Sequence, residues 1–269
     1  MAIQTLDSQA VPPSAKLSTW AFFDRWIFTF MAGLLLVTVL TGFIPSGQLQ
    51  LEQIEAGMRG PFLPVVHVHA FVMGAWILLL LAQTSLVASD NRALHRKLGM
   101  VGMVLMPAMV ITGFVLVPSI YRVIWSLDPA VVPAEVIAVQ KETFTNISLA
   151  QIRIGILFPV FVALALSMRK SDPENHKRLM ILATVMPIPA ALDRILWLPN
   201  TMPDSPIAPD LYTLLLILPM FAYDILRNKK IPKAYKYWFA GWFPTSIIIN
   251  VMWSSPWWLA TAPVIMGVG

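Results

Sequence analysis

Five ionisable side chains interrupt long apolar stretches of this chain and are the first candidates for chemistry. They are His67, His69, Arg153, Asp193 and Arg194. Ionisable groups inside a membrane are costly and usually face protein or water rather than lipid. With a rise of about 1.5 Å per residue, all five fall in one layer, roughly 5–10 Å below the outer surface. This layer favours an outward-facing site for an anionic or redox-active ligand, such as a haem propionate, a quinone head group or a lipid phosphate.

The charges in this layer suggest how its members pair. Asp193 can pair with Arg153 across two helices, which leaves Arg194 and the two histidines for a ligand. A second interpretation is purely structural. The ion pair then locks two helices together, and Arg194 extends its side chain to the membrane interface. Both interpretations predict the same buried pair.

The His67-Val68-His69 motif raises the question of metal binding. Residues two apart on a regular helix point about 200° apart, so the two rings face opposite ways and do not readily chelate one ion. Pro64 would have to unwind that turn. Asp193 would then be the third ligand of a divalent metal. Otherwise one histidine faces the site and the other faces a neighbouring helix or the interface.

His95 and His176 occupy matching contexts at the starts of two predicted helices. Two histidines on different helices at one level are the arrangement of a bis-histidine haem b in a four-helix bundle. Haem b is therefore the second cofactor that the sequence suggests. The alternative is that both histidines lie in basic loops, where they cap helices or face lipid phosphates.

Several other kinds of site are excluded by composition. The chain has no cysteine, which removes disulfides, Fe–S clusters, thiolate zinc sites and cysteine nucleophiles. Its four histidines are too few for the histidine boxes typical of membrane di-iron hydroxylases. GxSxG, HExxH and phosphate-loop motifs are absent, and the last predicted helix has no lysine for retinal. Transport stays open, because prolines could break helices three to six at Pro107, Pro159, Pro187, Pro189 and Pro219.

These residues must be positioned by a chain that is mostly membrane-embedded. Of its 269 residues, 57% are hydrophobic and 12% are charged, whereas a soluble domain carries about 25% charged residues. A spanning helix needs about 20 apolar residues. The sequence therefore predicts an all-α bundle of about seven transmembrane helices, at 26–45, 62–88, 98–120, 147–168, 179–198, 207–226 and 237–256. Residues 1–25 are predicted as a cytoplasmic tail and residues 26–269 as one membrane domain.

Lysine and arginine are distributed unequally between the two sides of these spans. Three lie on one side, namely Arg59, Arg122 and Lys141. Fourteen lie on the other, namely Lys16, Arg25, Arg92, Arg96, Lys97, Arg169, Lys170, Lys177, Arg178, Arg227, Lys229, Lys230, Lys233 and Lys236. The positive-inside rule places the amino terminus in the cytoplasm and the carboxyl terminus outside. The net charge of +5 is this topology signal, so no nucleic-acid partner is expected.

A similar sequence motif recurs in two pairs of predicted helices. Leu94-His95-Arg96-Lys97-Leu98 is followed by Met106-Pro107, and Asn175-His176-Lys177-Arg178-Leu179 is followed by Met186-Pro187. The distance from His to Met-Pro differs by one residue. This predicts a parallel repeat of helices two-three and four-five. Chance recurrence in an apolar sequence is the alternative.

The combined motifs resemble a group of bacterial multipass membrane proteins with no established activity. They are spread over residues 25–230 and comprise His67-x-His69, Trp76, Gln83, His95-Arg96-x-Leu98-Gly99, His176-Lys177-Arg178-Leu179-Met180 and Arg194. The resemblance implies the bacterial inner (plasma) membrane. A looser similarity is to cytochrome-b561-like bundles, although the b561 spacing of histidine pairs at both membrane faces is not matched.

These patterns predict a multipass inner-membrane protein with an outer-leaflet polar site for a redox-active or anionic ligand. The ligand classes are haem, quinone, metal and lipid head group, and a redox ligand would support electron or proton transfer. The alternative is a non-enzymatic transporter, or a structural or assembly subunit of a membrane complex. The expected partners are the lipid bilayer, a quinone or lipid ligand and other membrane subunits.

Overall fold

The computed structural model describes residues 19–268, and this part of the chain contains helices and no β-strand. The predicted all-α class is confirmed. In chain order the helices are α1 (Thr19–Glu55), α2 (Pro64–Ala88), α3 (Arg92–Trp125), α4 (Ala134–Met168), α5 (Pro173–Val185), α6 (Pro189–Leu192), α7 (Ile207–Asn228), α8 (Lys233–Met252) and α9 (Pro256–Ile265).

Five of these helices are long and apolar enough to cross a membrane, namely α1, α2, α3, α4 and α7. The predicted count of seven is not confirmed. The predicted span at 237–256 falls mainly on α8, in which Lys, Tyr and Trp residues lower the mean hydropathy. The predicted span at 179–198 is interrupted, since it covers most of α5, all of α6 and the turns that follow.

Pro187 and Pro189 explain the interruption of the fifth predicted span. A proline has no N–H for the bond to the residue four positions back, and its ring clashes with that carbonyl. α5 therefore ends at Val185, and the chain continues in tighter turns, as where Ile188 N donates to Val185 O at 3.1 Å. The other three prolines that were proposed as helix breaks lie inside continuous helices, namely Pro107 in α3, Pro159 in α4 and Pro219 in α7.

The short helix α5 is the centre of the bundle. It contacts α1, α4, α7 and α8, and its residues Leu179, Leu182 and Val185 have no exposed surface. The second half of α5, from Leu179 to Val185, is mostly apolar on all sides, as is typical of a helix segment that is buried in a core. Trp238 of α8 is also fully buried, and its Nε1 donates to Leu182 O at 3.0 Å. α8 is thus joined to α5 by a hydrogen bond as well as by packing.

Two helical hairpins flank this centre. α2 and α3 form one, with a turn at 89–91, and α4 and α5 form the other, with a turn at 169–172. Contacts between α3 and α4 join the hairpins. The expected pairing of helices is present, and the duplication of sequence behind it stays a prediction.

α6, α7 and α8 pack around the rest of the bundle, and a gap remains between α7 and α8. α7 packs on α1, α5 and α6, whereas α8 packs on α4 and α5. α6 lies very close to α1, because Gly42 has no Cβ and the Ala191 carbonyl occupies the space where one would be. A groove therefore remains between α7 and α8.

Three helices are longer than a membrane is thick. α1, α3 and α4 have 37, 34 and 35 residues, whereas about 20 residues span the hydrocarbon core. Where α3 ends and α4 begins, Tyr121 OH lies 2.7 Å from Thr145 Oγ1, and Trp258 Nε1 of α9 donates to Thr145 O at 2.8 Å. These contacts tie α3, α4 and α9 together at the end of the bundle that the charge distribution places outside.

Of the predicted tail at residues 1–25, residues 1–18 lie outside the described part of the chain. Residues 19–25 already belong to α1. Within them, Asp24 accepts hydrogen bonds from Arg227 Nε at 2.9 Å and from Tyr223 OH at 2.6 Å. The first turns of α1 are therefore tied to the last turns of α7.

Candidate functional site

Arg153 lies in a buried charged cluster at the end of the bundle that is predicted from the charge distribution to lie outside. Its Nη2 lies 2.7 Å from Oδ1 of Asp210, and its Nη1 lies 3.3 Å from Oδ2. Ser246 Oγ of α8 donates to the same Oδ2. The exposed fractions of Arg153, Asp210 and Ser246 are 5%, 6% and 8%. One carboxylate thus joins α4, α7 and α8 away from solvent.

The predicted partner of Arg153 is wrong, since the pair forms with Asp210 and not with Asp193. The break after Val185 leaves Asp193 in the turn that follows α6. There its Oδ1 accepts a hydrogen bond from Asn200 Nδ2 at 2.8 Å. Asp210 is instead placed in the first turn of α7, facing α4 and α8.

Arg194 is half-buried and lies at the junction of α6 and α1. Its Nη1 donates to Ala190 O, and its guanidinium carbon lies 4.9 Å from the centre of the Phe43 ring. This is a cation–π geometry. Arg194 therefore contacts the helix that α6 packs against.

The two histidines of the HxH motif are not brought together. His69 Nδ1 lies 2.9 Å from Thr112 Oγ1 of α3, whereas the exposed His67 ring lies 5.9 Å from that of Phe62 in an edge-on contact. Within residues 19–268, no three His, Cys, Asp or Glu side chains are grouped so that they could hold a metal ion. The predicted set of His67, His69 and Asp193 is therefore not assembled.

His95 and His176 make equivalent contacts in the two hairpins. His95 Nδ1 lies 3.4 Å from Gln83 O of α2, and His176 Nδ1 lies 2.8 Å from Ala165 O of α4. A carbonyl oxygen only accepts, so Nδ1 carries the proton in both rings. Each Nε2 is then the basic nitrogen, which is the orientation that histidine ligands commonly adopt. Haem binding by this pair stays a prediction.

A second charged cluster, which the sequence analysis missed, lies at the opposite end of α7. Arg178 Nε of α5 donates to Asp224 Oδ2 at 2.8 Å, and Arg178 Nη2 donates to Asp224 Oδ1. Tyr235 OH of α8 donates to Asp224 Oδ2 at 2.8 Å, and Arg178 Nη1 donates to Glu174 Oε2 at 2.8 Å. Asp224 and Tyr235 are fully buried, and Arg178 is 4% exposed.

The spacing of Asp210 and Asp224 contained a signal for this second cluster. They are fourteen positions apart in one apolar helix. At about 100° per residue, two such side chains point within roughly 40° of each other. A face of α7 that carries a carboxylate at both ends requires a cationic partner at each end, and Arg178 is the partner at the second.

The two clusters are built from the same kinds of residues, but they differ in whether the arginine Nε has a hydrogen-bond partner. Each joins an arginine of the α4–α5 hairpin, an aspartate of α7 and a hydroxyl of α8. All three guanidinium nitrogens of Arg178 donate hydrogen bonds. Arg153 Nε, by contrast, is buried and has no partner. Of these two clusters of described residues, only the one around Arg153 therefore keeps an unused buried donor.

The groove between α7 and α8 passes beside this cluster. Its volume is about 490 Å³, and it is lined by Leu214, Phe239, Trp242, Phe243, Ser246, Ile247, Asn250 and Val251. Ser246 is shared by the groove and the Arg153–Asp210 pair. Asn250 is exposed, and its Nδ2 donates to Ser246 O at 2.9 Å. The groove is thus apolar along most of its length and polar at one end.

Comparison of this chain with protein-family models, with curated proteins and with solved structures finds no significant match.

Proposed function

We propose that this membrane protein binds an amphipathic, membrane-soluble molecule of the quinone or lipid class in the groove between α7 and α8. The apolar part of the ligand lies along Phe239, Phe243 and Ile247. Its polar end lies at Asn250 and Ser246, beside the buried Arg153–Asp210 pair. The observation that carries this proposal is an apolar groove that ends at a polar group hydrogen-bonded to a buried ion pair.

The dimensions of the groove suit such a ligand. Phe239 and Val251 are twelve positions apart in α8, which corresponds to about 18 Å along the helix axis. This length accommodates several isoprene units or part of an acyl chain. Binding sites of this kind are mostly apolar, with a few placed polar groups that fix the orientation of the ligand.

Two polar atoms are available to the head group. Asn250 uses Nδ2 within its own helix, which leaves Oδ1 as an acceptor. Arg153 Nε is an unused buried donor from which a ligand carbonyl oxygen could accept a hydrogen bond. Of the five residues first predicted, the proposed site keeps Arg153 and replaces the others with Asp210, Ser246 and Asn250.

The proposed cellular setting is the inner (plasma) membrane of a bacterium, with the amino terminus in the cytoplasm. The polar end of the groove at Asn250 then lies in the outer leaflet. Support for this orientation comes from the unequal distribution of Lys and Arg.

Two tryptophan substitutions in α8 test the binding site. Ile247 lines the groove, whereas the adjacent Ile248 has a similar exposed fraction, 56% against 51%, but does not line it. Ile247→Trp should fill the groove and remove the quinone or lipid that co-purifies with the wild type, measured by mass spectrometry of organic extracts. Ile248→Trp is the matched control and should retain it. Equal retention in both variants would reject the groove as the site.

A transporter is the second candidate function, and the two matching clusters favour it. α7 is held at one end by Arg153 and at the other by Arg178, with the groove between them. Transport would require these ends to open alternately. A cysteine at Leu214 should then become more reactive to an impermeant thiol reagent from outside in Asp210→Asn, and from inside in Asp224→Asn. Unchanged reactivity in both variants would contradict alternating opening.

A further inference from the structure

A small basic cavity lies at the turn between α4 and α5, at the end of the bundle opposite the α7–α8 groove's polar end. Its volume is about 270 Å³, and it is lined by Leu166, Ser167, Arg169 and Lys170. Leu166 is half-buried, and the other three residues are exposed. The cavity therefore combines an apolar wall with two cationic side chains at the membrane surface.

Arg169 and Lys170 are not neutralised by carboxylates, unlike Lys177 and Arg227 at the same end of the bundle. Lys177 pairs with Glu174 at 2.7 Å, and Arg227 pairs with Asp24 at 2.9 Å. Within residues 19–268, neither Arg169 nor Lys170 forms an ion pair. Two uncompensated cations beside a cavity provide a binding site for an anion.

His176 lies beside this cavity. His176 is fixed by the hydrogen bond from its Nδ1 to Ala165 O, the residue that precedes the cavity wall. Burial lowers the pKa of His176, and the charges of His95 on α3 and Arg169 on the α4–α5 turn act in the same direction. The charged groups that act on this ring are therefore all basic.

An exposed stripe on α4 leads from the membrane into the cavity. Ile156, Val160, Ala163 and Ser167 are all exposed, at spacings of four, three and four residues. Such spacings place side chains on one face of a helix. An acyl chain can lie along this face while its head group reaches Arg169 and Lys170.

We propose that the cavity binds the phosphate of an anionic phospholipid of the adjacent leaflet. Arg169 and Lys170 contact the phosphate, and the acyl chains lie on the exposed stripe of α4. Clusters of basic residues at the end of a transmembrane helix are recognised binding sites for anionic lipids. This site uses none of the residues assigned to the α7–α8 groove, so each proposal can be correct or wrong independently of the other.

Removal of matched pairs of charges tests this site in the full-length protein. Arg169→Gln/Lys170→Gln removes the cavity cations, and Lys229→Gln/Lys230→Gln removes two exposed cations from the α7–α8 connection as the control. Binding of phosphatidylglycerol is measured by native mass spectrometry from mixed micelles, against phosphatidylcholine. With about 1 kcal/mol for each of the two basic residues, the cavity variant should bind roughly thirtyfold more weakly. The control variant should lose little.

The outcomes separate a specific lipid site from weaker explanations. Equal loss in the two variants would show general surface attraction and overturn the site. Displacement of phosphatidylglycerol by inorganic phosphate alone, with no preference for the lipid, would assign the cavity to a free anion instead. Gel filtration of both variants confirms folding, which is expected because all four substituted side chains are exposed.

Discussion

Asp193 and Asp210 lie near the same end of the bundle but in different surroundings. Asp210 is 6% exposed and bonded to Arg153 and Ser246. Asp193 is half-buried, and its side chain is bonded to the exposed Asn200. Breaking a buried ion pair strands the remaining charge, whereas loss of a hydrogen bond near the surface leaves both groups able to bind water.

Asp210→Asn is therefore expected to destabilise the protein by about 3–5 kcal/mol. Asp193→Asn is the control and should have little effect, because the amide oxygen can still accept from Asn200. Thermal unfolding in detergent measures both variants, and Arg153→Gln added to Asp210→Asn should partly restore the loss by removing the stranded charge. If Asp193→Asn proved as damaging as Asp210→Asn, the pairing with Asp210 would be wrong.

His176 provides a pH-dependent contribution to stability. Burial lowers its pKa, and the neighbouring charges of His95 and Arg169 lower it further, against the hydrogen bond to Ala165 O. The folded protein therefore holds the ring neutral, while the unfolded chain takes up a proton at about pH 6.5. The contribution is complete above that pH and is lost as the pH falls below it through the lowered pKa.

His176→Gln should therefore make stability less sensitive to acid below about pH 6.5. The amide N–H of glutamine can still donate to Ala165 O, so the hydrogen bond is kept. His67→Gln, which changes an exposed ring, is the control. Unfolding temperatures of wild type and both variants are compared between pH 8 and pH 5. Parallel curves for wild type and His176→Gln would contradict this role.

At the level of residues, the sequence identified Arg153 as a side chain that needs a buried partner, but it did not identify that partner. Arg153 was predicted to lie in a buried pair, and it does. Its partner depends on where α6 ends and α7 begins, which hydrophobic runs do not specify. Asp224 was overlooked because it lies near the end of an apolar segment, where an exposed carboxylate costs little.

At the level of elements, the long apolar runs predicted the existence of α1 to α4 and α7, although α1 and α4 extend well beyond the predicted spans. α5 was predicted as the start of a complete span, although Pro187 and Pro189 end it at Val185. A run of hydrophobic residues does not distinguish a lipid-exposed helix from one buried on all sides by other helices. Whether α5 is exposed to lipid or buried depends on the helices that pack around it, which are α1, α4, α7 and α8.

The contact between α1 and α6 gives a prediction at this scale. A Cβ on Gly42 would overlap the backbone carbonyl of Ala191, which cannot move as a side chain can. Gly42→Ala should therefore destabilise the protein by about 1–3 kcal/mol. Gly33→Ala in the same helix has nothing within 4 Å and should be neutral or stabilising by up to about 1 kcal/mol.

Thermal unfolding of the two alanine variants measures this difference directly. Both substitutions raise the helix propensity of α1 equally, so a difference between them reports only the packing at position 42. Equal stability of the variants would mean that α6 does not lie against α1 as described.

At the level of the whole molecule, the direction of the chain across the membrane rests on charge rather than on packing. The helical contacts are the same whichever side faces the cytoplasm. The asymmetry of fourteen basic residues against three determines the expected orientation. From this orientation we expect the basic cavity at Arg169 and Lys170 to face the cytoplasmic leaflet and the polar end of the α7–α8 groove to face the outer leaflet.

Cysteine labelling tests this orientation without background, because the chain contains no cysteine. Ala130 and Thr201 are exposed between helices on the side predicted to be outside, and Ser171 and Asn228 are exposed on the side predicted to be cytoplasmic. Single cysteines at the first two positions should react with an impermeant thiol reagent in intact cells. Those at the last two should react only after the cells are lysed, which also controls for accessibility. Labelling of Ser171→Cys and Asn228→Cys in intact cells, with Ala130→Cys and Thr201→Cys protected, would reverse the orientation and exchange the leaflets of the two proposed lipid-facing sites.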